Sequence, residues 1–243
     1  MQTLMSRSPT WRIAALARRP SLVLRLGRAR AHLLSISSAR AKSSSACRHF
    51  RFCIDWLPDG RLLIVSGRNG FLLRRELDAS LVTHAHLTSL SEHAWNEIVV
   101  DGRGNAYINN IGFDFPGGDF ATGIIALVTP DGSPRRVEDG VAFPNGMVVT
   151  PDNATLILAE SYGKRLTAFD IALDGSLSSR RVWADLEGGF PDGISLDAEN
   201  AVWYADVPNK RCVRVREGGE VLQTIDLSLS RKEVESQGPN RYS

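Results

Sequence analysis

Four segments of this chain repeat one pattern, and that pattern limits what the chain can fold into. They read Cys53-IDWL-Pro58-DGR-LLIVS, Asn96-EIVV-Asp101-GRG-Asn105-AYI, Asn145-GMVV-Thr150-PDN-Ala154-TLIL and Asp192-GISL-Asp197-AEN-Ala201-VWYA. Each is a short apolar strand, a polar turn and a second apolar strand. The turn residues Asp59, Asp101, Asp152 and Asp197 are 42, 51 and 45 residues apart. Between copies lies a second hairpin, at 123–137, 165–182 and 211–225, with Asp-Gly or Gly-Gly at its turn. About four strands in each unit of ~40–50 residues is the signature of a β-propeller. Helical periodicity is hard to find after residue 50, which argues against strands alternating with helices.

The last three copies place an oxygen-bearing side chain at the same point, five residues before the turn begins: Asn96, Asn145 and Asp192. Equivalent positions of a closed repeat meet around a common axis. Two amides and a carboxylate meeting there form a set of hard oxygen donors, which suits a divalent cation. Asn-Gly and Asp-Gly taken alone are ordinary turn dipeptides. Three such residues in one phase favour a site.

Composition separates the ends from the middle. The net charge of +2 hides an asymmetry. Residues 1–54 hold eleven Lys and Arg and no Asp or Glu, so 18 basic residues stand against all 27 acidic ones in the remainder. That acidic body argues against a nucleic-acid partner. The chain divides into a basic non-propeller segment at 1–49, a propeller at 50–227 and an irregular tail at 228–243. The first segment reads either as a transit-type presequence or as sequence foreign to the propeller and joined near Phe50, and the second reading is favoured. Within it, LVLRLGRARAHLLSI can form a basic amphipathic helix. No run of eighteen apolar residues exists, so no membrane span is expected. Cys47, Cys53 and Cys212 lack CxxC spacing and read as thiols in a reducing compartment, which places the protein in the cytoplasm.

FPNGMVVTPDNATLILAES stands at 143–161, RLTAFDIALDGSL follows it, and FPDGISLDAENAVWYADV stands at 190–207. Through these motifs the run from about Phe52 to Leu227 resembles the SMP-30/gluconolactonase family, also called the regucalcin family. It implies an all-β fold, a six-bladed propeller that this chain leaves incomplete at both ends. Four repeats near 45 residues account for ~180 residues, and six need ~270. The resemblance also implies one divalent cation at the channel mouth, usually Ca²⁺ or Zn²⁺, with Mn²⁺ or Mg²⁺ as alternatives. Many family members hydrolyse sugar lactones or related esters. Carried over by motif, Asn145 and Asp192 are metal ligands, Asp192 is also the general base, and Asn96 lies beside the metal or the substrate. The family's Glu ligand, from an early Glu-Gly-Pro or Glu-Ser-Pro motif, has no counterpart in the acid-free stretch before Cys53. The Arg that many lactonases carry two residues before the Asn96 position is Ala94 here.

The expected activity is therefore metal-polarised attack of water on a lactone or ester carbonyl. Two readings stay open beside it: a truncated, non-catalytic relative of the family, and a strictosidine-synthase-like propeller. His84, His86 and His93 read as surface residues in a loop between blades. Ser161 lacks a Gly-x-Ser-x-Gly elbow, so a serine triad is not expected. Gly67–Gly70 and 102–105 read as hairpin turns. The 113–120 stretch, FDFPGGDF, reads either as a rim or lid loop or as a plain connection between blades.

Overall fold

The computed structural model describes residues 52–228. The readings made for residues 1–51, Cys47 among them, and for nearly all of the 228–243 tail lie outside the described residues.

The described residues form sixteen strands in four antiparallel sheets of four. Blade 1 holds β1 (Phe52–Trp56), β2 (Leu62–Ser66), β3 (Phe71–Arg75) and β4 (Leu81–His86). Blade 2 holds β5 (Trp95–Val100), β6 (Ala106–Asn110), β7 (Gly123–Val128) and β8 (Pro134–Val141). Blade 3 holds β9 (Pro144–Val149), β10 (Thr155–Glu160), β11 (Arg165–Ile171) and β12 (Leu177–Asp185). Blade 4 holds β13 (Pro191–Leu196), β14 (Val202–Asp206), β15 (Arg211–Val215) and β16 (Val221–Asp226). In each sheet the strands pair in chain order, so every connection is a hairpin. The turns follow from their Asp residues. Asp59, Asp131, Asp152 and Asp174 each accept a hydrogen bond from the backbone N–H two residues on, which closes an Asx turn.

First strands pack on first strands: β1 against β5, β5 against β9, β9 against β13. This is the arrangement of propeller blades around an axis. Three cores fill the gaps between successive sheets. Leu63 and Leu72 meet Ile98 and Ile108, Tyr107 and Leu127 meet Met147 and Phe169, and Ile157 and Leu166 meet Val202 and Val213. Blades 2 and 3 are buried on both faces, so β7 and β10 read as continuous apolar runs without alternation.

Tyr107 links blades 2 and 3 by a polar contact inside this apolar packing. Its hydroxyl donates to the Gly175 carbonyl at 3.0 Å. Burial, with Asp101 adding to it, pushes the phenol far above its ordinary range, so it stays a donor. Tyr107→Phe leaves that carbonyl unmet and is expected to cost about 1–2 kcal/mol. Chemical denaturation that gives an unchanged midpoint and slope would contradict this link.

One sequence expectation is corrected here. His84 and His86 belong to strand β4 and not to a loop between blades. His84 sits 3.2 Å from the Arg74 guanidinium, and burial followed by the Arg74 charge holds its pKa below the ordinary histidine value. His93 lies in the link to β5, with Nδ1 3.8 Å from Asp114. No group of three or more His, Cys, Asp or Glu able to hold a metal forms among the described residues. No helix among them is long and apolar enough to cross a membrane. Cys53 is in β1 and Cys212 in β15, in different sheets.

Candidate functional site

Asn96, Asn145 and Asp192 occupy the same place in three blades. Each is the second residue of its blade's first strand. The pairing gives that place a further property. Trp95 pairs with Asn110 and Ile98 with Ile108, so Asn96 and Glu97 stand opposite Asn109 alone. Pro144 pairs with Glu160 and Met147 with Leu158, so Asn145 and Gly146 stand opposite Ala159. Pro191 pairs with Asp206 and Ile194 with Tyr204, so Asp192 and Gly193 stand opposite Ala205. Each candidate therefore opens a β-bulge, a device that re-aims a side chain and recurs beside active sites. Blade 1 has no bulge at this place: β1 pairs with β2 without a register shift, and Cys53 lies within that regular ladder.

The glycines after Asn145 and Asp192 are thus bulge residues inside strands, not turn residues. Gly146 is required by close approach. A Cβ on it would stand 2.6 Å from the Ile194 nitrogen and 2.8 Å from the Asp192 carbonyl oxygen. The backbone of β9 at Asn145–Gly146 and that of β13 at Asp192–Ile194 are in direct contact.

Bulging leaves backbone groups without ladder partners, and side chains from neighbouring strands take them. Asn96 Nδ2 donates to the Pro144 carbonyl at 3.2 Å. Asn109 Nδ2 donates to the Asn145 carbonyl at 2.8 Å, and its Oδ1 accepts from the Glu97 N–H at 3.4 Å. Ser161 Oγ donates to the Pro191 carbonyl at 2.6 Å and accepts from Asn145 Nδ2 at 3.4 Å. Ser161 is a clamp between blades 3 and 4, with its proton already committed. Sequence reading missed Asn109 and this role of Ser161. An Asn-Asn pair ending a buried strand was the available signal.

These bonds tie down the nitrogen ends of both candidate amides. The Oδ1 atoms of Asn96 and Asn145 and the carboxylate of Asp192 have no hydrogen-bond or ion-pair partner among the described residues. Two neutral amide oxygens and one carboxylate are donors of the kind a hard cation takes.

A second set of equivalent residues supports the strands from behind. Asn110, Glu160 and Asp206 end the second strand of blades 2, 3 and 4. Glu160 accepts from the Ala142 N–H at 2.7 Å and Asp206 from the Phe190 N–H at 3.2 Å. Each thereby holds the backbone leading into the candidate residue of its blade. Among the described residues Asn110 has no partner for either side-chain polar atom, and the Trp95 indole N–H beside it has none. Blade 2 is held less firmly at this point.

Fold and site together define a β-propeller with oxygen donors at the bulged starts of its inner strands. Residues 29–233 match the SMP-30/Gluconolactonase/LRE-like region, and the chain belongs to that family. It is 28% identical to regucalcin of Danio rerio over 63% of this chain and 52% of the relative. It is 25% identical to the pentonolactonase XacC of Haloferax volcanii, over 71% and 64% respectively. A solved structure, the calcium-binding protein regucalcin of Agrobacterium tumefaciens, superposes with a TM-score of 0.58 at 21% identity, over 72% of this chain and 59% of that one. The chain spans about half to two-thirds of the length of these relatives.

Proposed function

We propose that this chain binds one divalent cation through Asn145 and Asp192, with Asn96 beside it, and hydrolyses a lactone or related ester. One observation carries the reading: three oxygen-bearing side chains, each opening a bulge at the same strand position, with oxygens that no described residue engages. The names of two relatives, a pentonolactonase and a calcium-binding regucalcin, agree with a lactone substrate and with Ca²⁺ as the first candidate ion. Zn²⁺, Mn²⁺ and Mg²⁺ are the alternatives.

When bound, the cation supplies Lewis-acid polarisation of the substrate carbonyl. The chain's residues do the rest. Asn145 and Asn96 present neutral oxygens that orient ion and substrate. Asp192 accepts a proton from the attacking water as the water oxygen bonds to the carbonyl carbon. The ring C–O bond then breaks, and the proton passes to the leaving alkoxide oxygen to give the hydroxy acid. Gly146 keeps β9 and β13 close enough for Asn145 and Asp192 to act on the same centre.

Two ligands with one formal charge between them, and Asn96 beside the ion, predict a weak site. We expect a Ca²⁺ dissociation constant at the weak end of protein sites, ~10⁻⁴–10⁻³ M, read by titration calorimetry. The reading is tested by hydrolysis of a simple aldonolactone with added Ca²⁺, Zn²⁺ or Mn²⁺ and after chelation. Turnover that needs a metal and is lost on chelation supports it. Turnover that survives chelation unchanged would contradict it.

A further inference from the structure

Loops at the site end of blades 2 and 3 gather five aromatic rings. Phe113, Phe115 and Phe120 stand on the 111–122 loop between β6 and β7, Phe143 precedes β9, and Tyr162 follows β10. Phe143 stacks on Tyr162 with centroids 4.6 Å apart and planes at 29°. Phe115 meets Phe143 at 5.0 Å, Phe113 meets Phe120 at 5.8 Å, and Phe120 meets Tyr162 at 5.7 Å. The base of the cluster is buried, with Phe113 and Phe143 each 7% exposed. Its outer rings are open to water: Phe115 is 44% exposed, Phe120 54% and Tyr162 48%.

The rings are held in place. The loop's neck closes where Gly112, at φ 83°, meets the Thr122 backbone, and a Cβ there would stand 2.1 Å from the Thr122 carbonyl oxygen. The cluster is also continuous with the candidate site. Phe143 lies two residues before Asn145, and its carbonyl accepts from the Ser161 N–H at 3.0 Å. Tyr162 follows Ser161 and donates its N–H to the Ala142 carbonyl at 3.2 Å. In blade 4 the residue two before Asp192 is again aromatic, Phe190, with Lys164 Nζ 4.9 Å from its ring centroid.

An ordered aromatic surface left open beside polar site residues is a mark of ligand recognition. A polyhydroxylated ring needs paired donors and acceptors, whereas this wall presents ring faces and edges. We infer that Phe115, Phe120 and Tyr162 form a substrate subsite that selects a lactone or ester bearing an aromatic or other flat apolar group. This inference rests on the hydrolase reading, and it assigns that activity a substrate class.

The test uses the full chain and the doubly substituted Phe120→Ala/Tyr162→Ala protein. Both positions are exposed, and circular dichroism checks that the fold is kept. The first measurement is binding of coumarin, a flat aryl lactone, by ligand-observed NMR without added metal. Coumarin is expected to bind the parent chain about tenfold more tightly than the variant. The second is the ratio of kcat/KM for dihydrocoumarin to that for gluconolactone with Ca²⁺, expected to fall about tenfold in the variant. No detectable coumarin binding to the parent chain, or equal binding to both proteins, would overturn the subsite. Gluconolactone turnover with an unchanged ratio would also overturn it, while leaving the hydrolase reading intact. Coumarin binding lost in the variant with no turnover of either lactone would support the subsite and count against the hydrolase reading.

Discussion

Asp192→Ala is expected to remove metal-dependent lactone turnover, with kcat/KM falling by about 10³. The substitution deletes the single charged donor of the proposed set and the group that accepts water's proton. Its effect on the fold should be small. Asp192 is half-buried and makes no hydrogen bond or ion pair among the described residues, so stability is expected to change by less than ~0.5 kcal/mol. Asn145→Ala removes a neutral donor and also the bond to Ser161 Oγ. It should weaken metal binding while lowering stability more than Asp192→Ala does. Turnover unaffected by Asp192→Ala would refute the mechanism.

The largest stability effect is expected at Glu160. This carboxylate is fully buried and accepts from the Ala142 N–H, the Arg165 guanidinium, Thr167 Oγ1 and the Arg180 guanidinium. Glu160→Ala strands those donors and frees the backbone that leads to Asn145. The arginines reach water, which places the cost near the lower end for a broken buried pair, about 3 kcal/mol, or roughly 10 °C in Tm. The group also gives the fold an acid limb. Burial alone would raise its pKa, but the bonds from Ala142, Arg165 and Thr167 and the Arg165 charge hold it below the ordinary glutamate value of 4.5. Its stabilisation is therefore complete above the unfolded value and lost as pH falls through the lower folded value. Glu160→Gln should flatten the stability profile below about pH 4.5. A midpoint within 1–2 °C of the parent for Glu160→Ala would show that the network is not needed.

The strand-turn-strand repeat makes the four blades legible in the sequence, because Asp-Gly turns and apolar runs are local signals. The register of Asn96, Asn145 and Asp192 was legible for the same reason. Their bulges were not read, although Gly146 and Gly193 inside strands pointed to them. Asn-Gly and Asp-Gly serve turns and bulges alike, and only the pairing partner separates the two. Asn109, Glu160 and Asp206 escaped for another reason. They sit at the ends of second strands and act on backbone groups that are distant in sequence or in the next blade, such as the Asn145 carbonyl, the Ala142 N–H and the Phe190 N–H. His84 and His86 were misplaced because β4 is an outer strand, largely open to solvent, and shows little apolar patterning.

The central claim is that Asn96, Asn145 and Asp192 serve one cation. A crystal of the full chain grown with Mn²⁺ and measured for anomalous scattering tests it most directly. The account predicts one strong peak bonded to Asn145 Oδ1 and an Asp192 carboxylate oxygen at ~2.0–2.6 Å, the range of hard-cation ligands. Asn96 Oδ1 should face that peak from blade 2. A peak bonded to other residues, or side chains of Asn145 and Asp192 turned to different faces of their sheets, would contradict it.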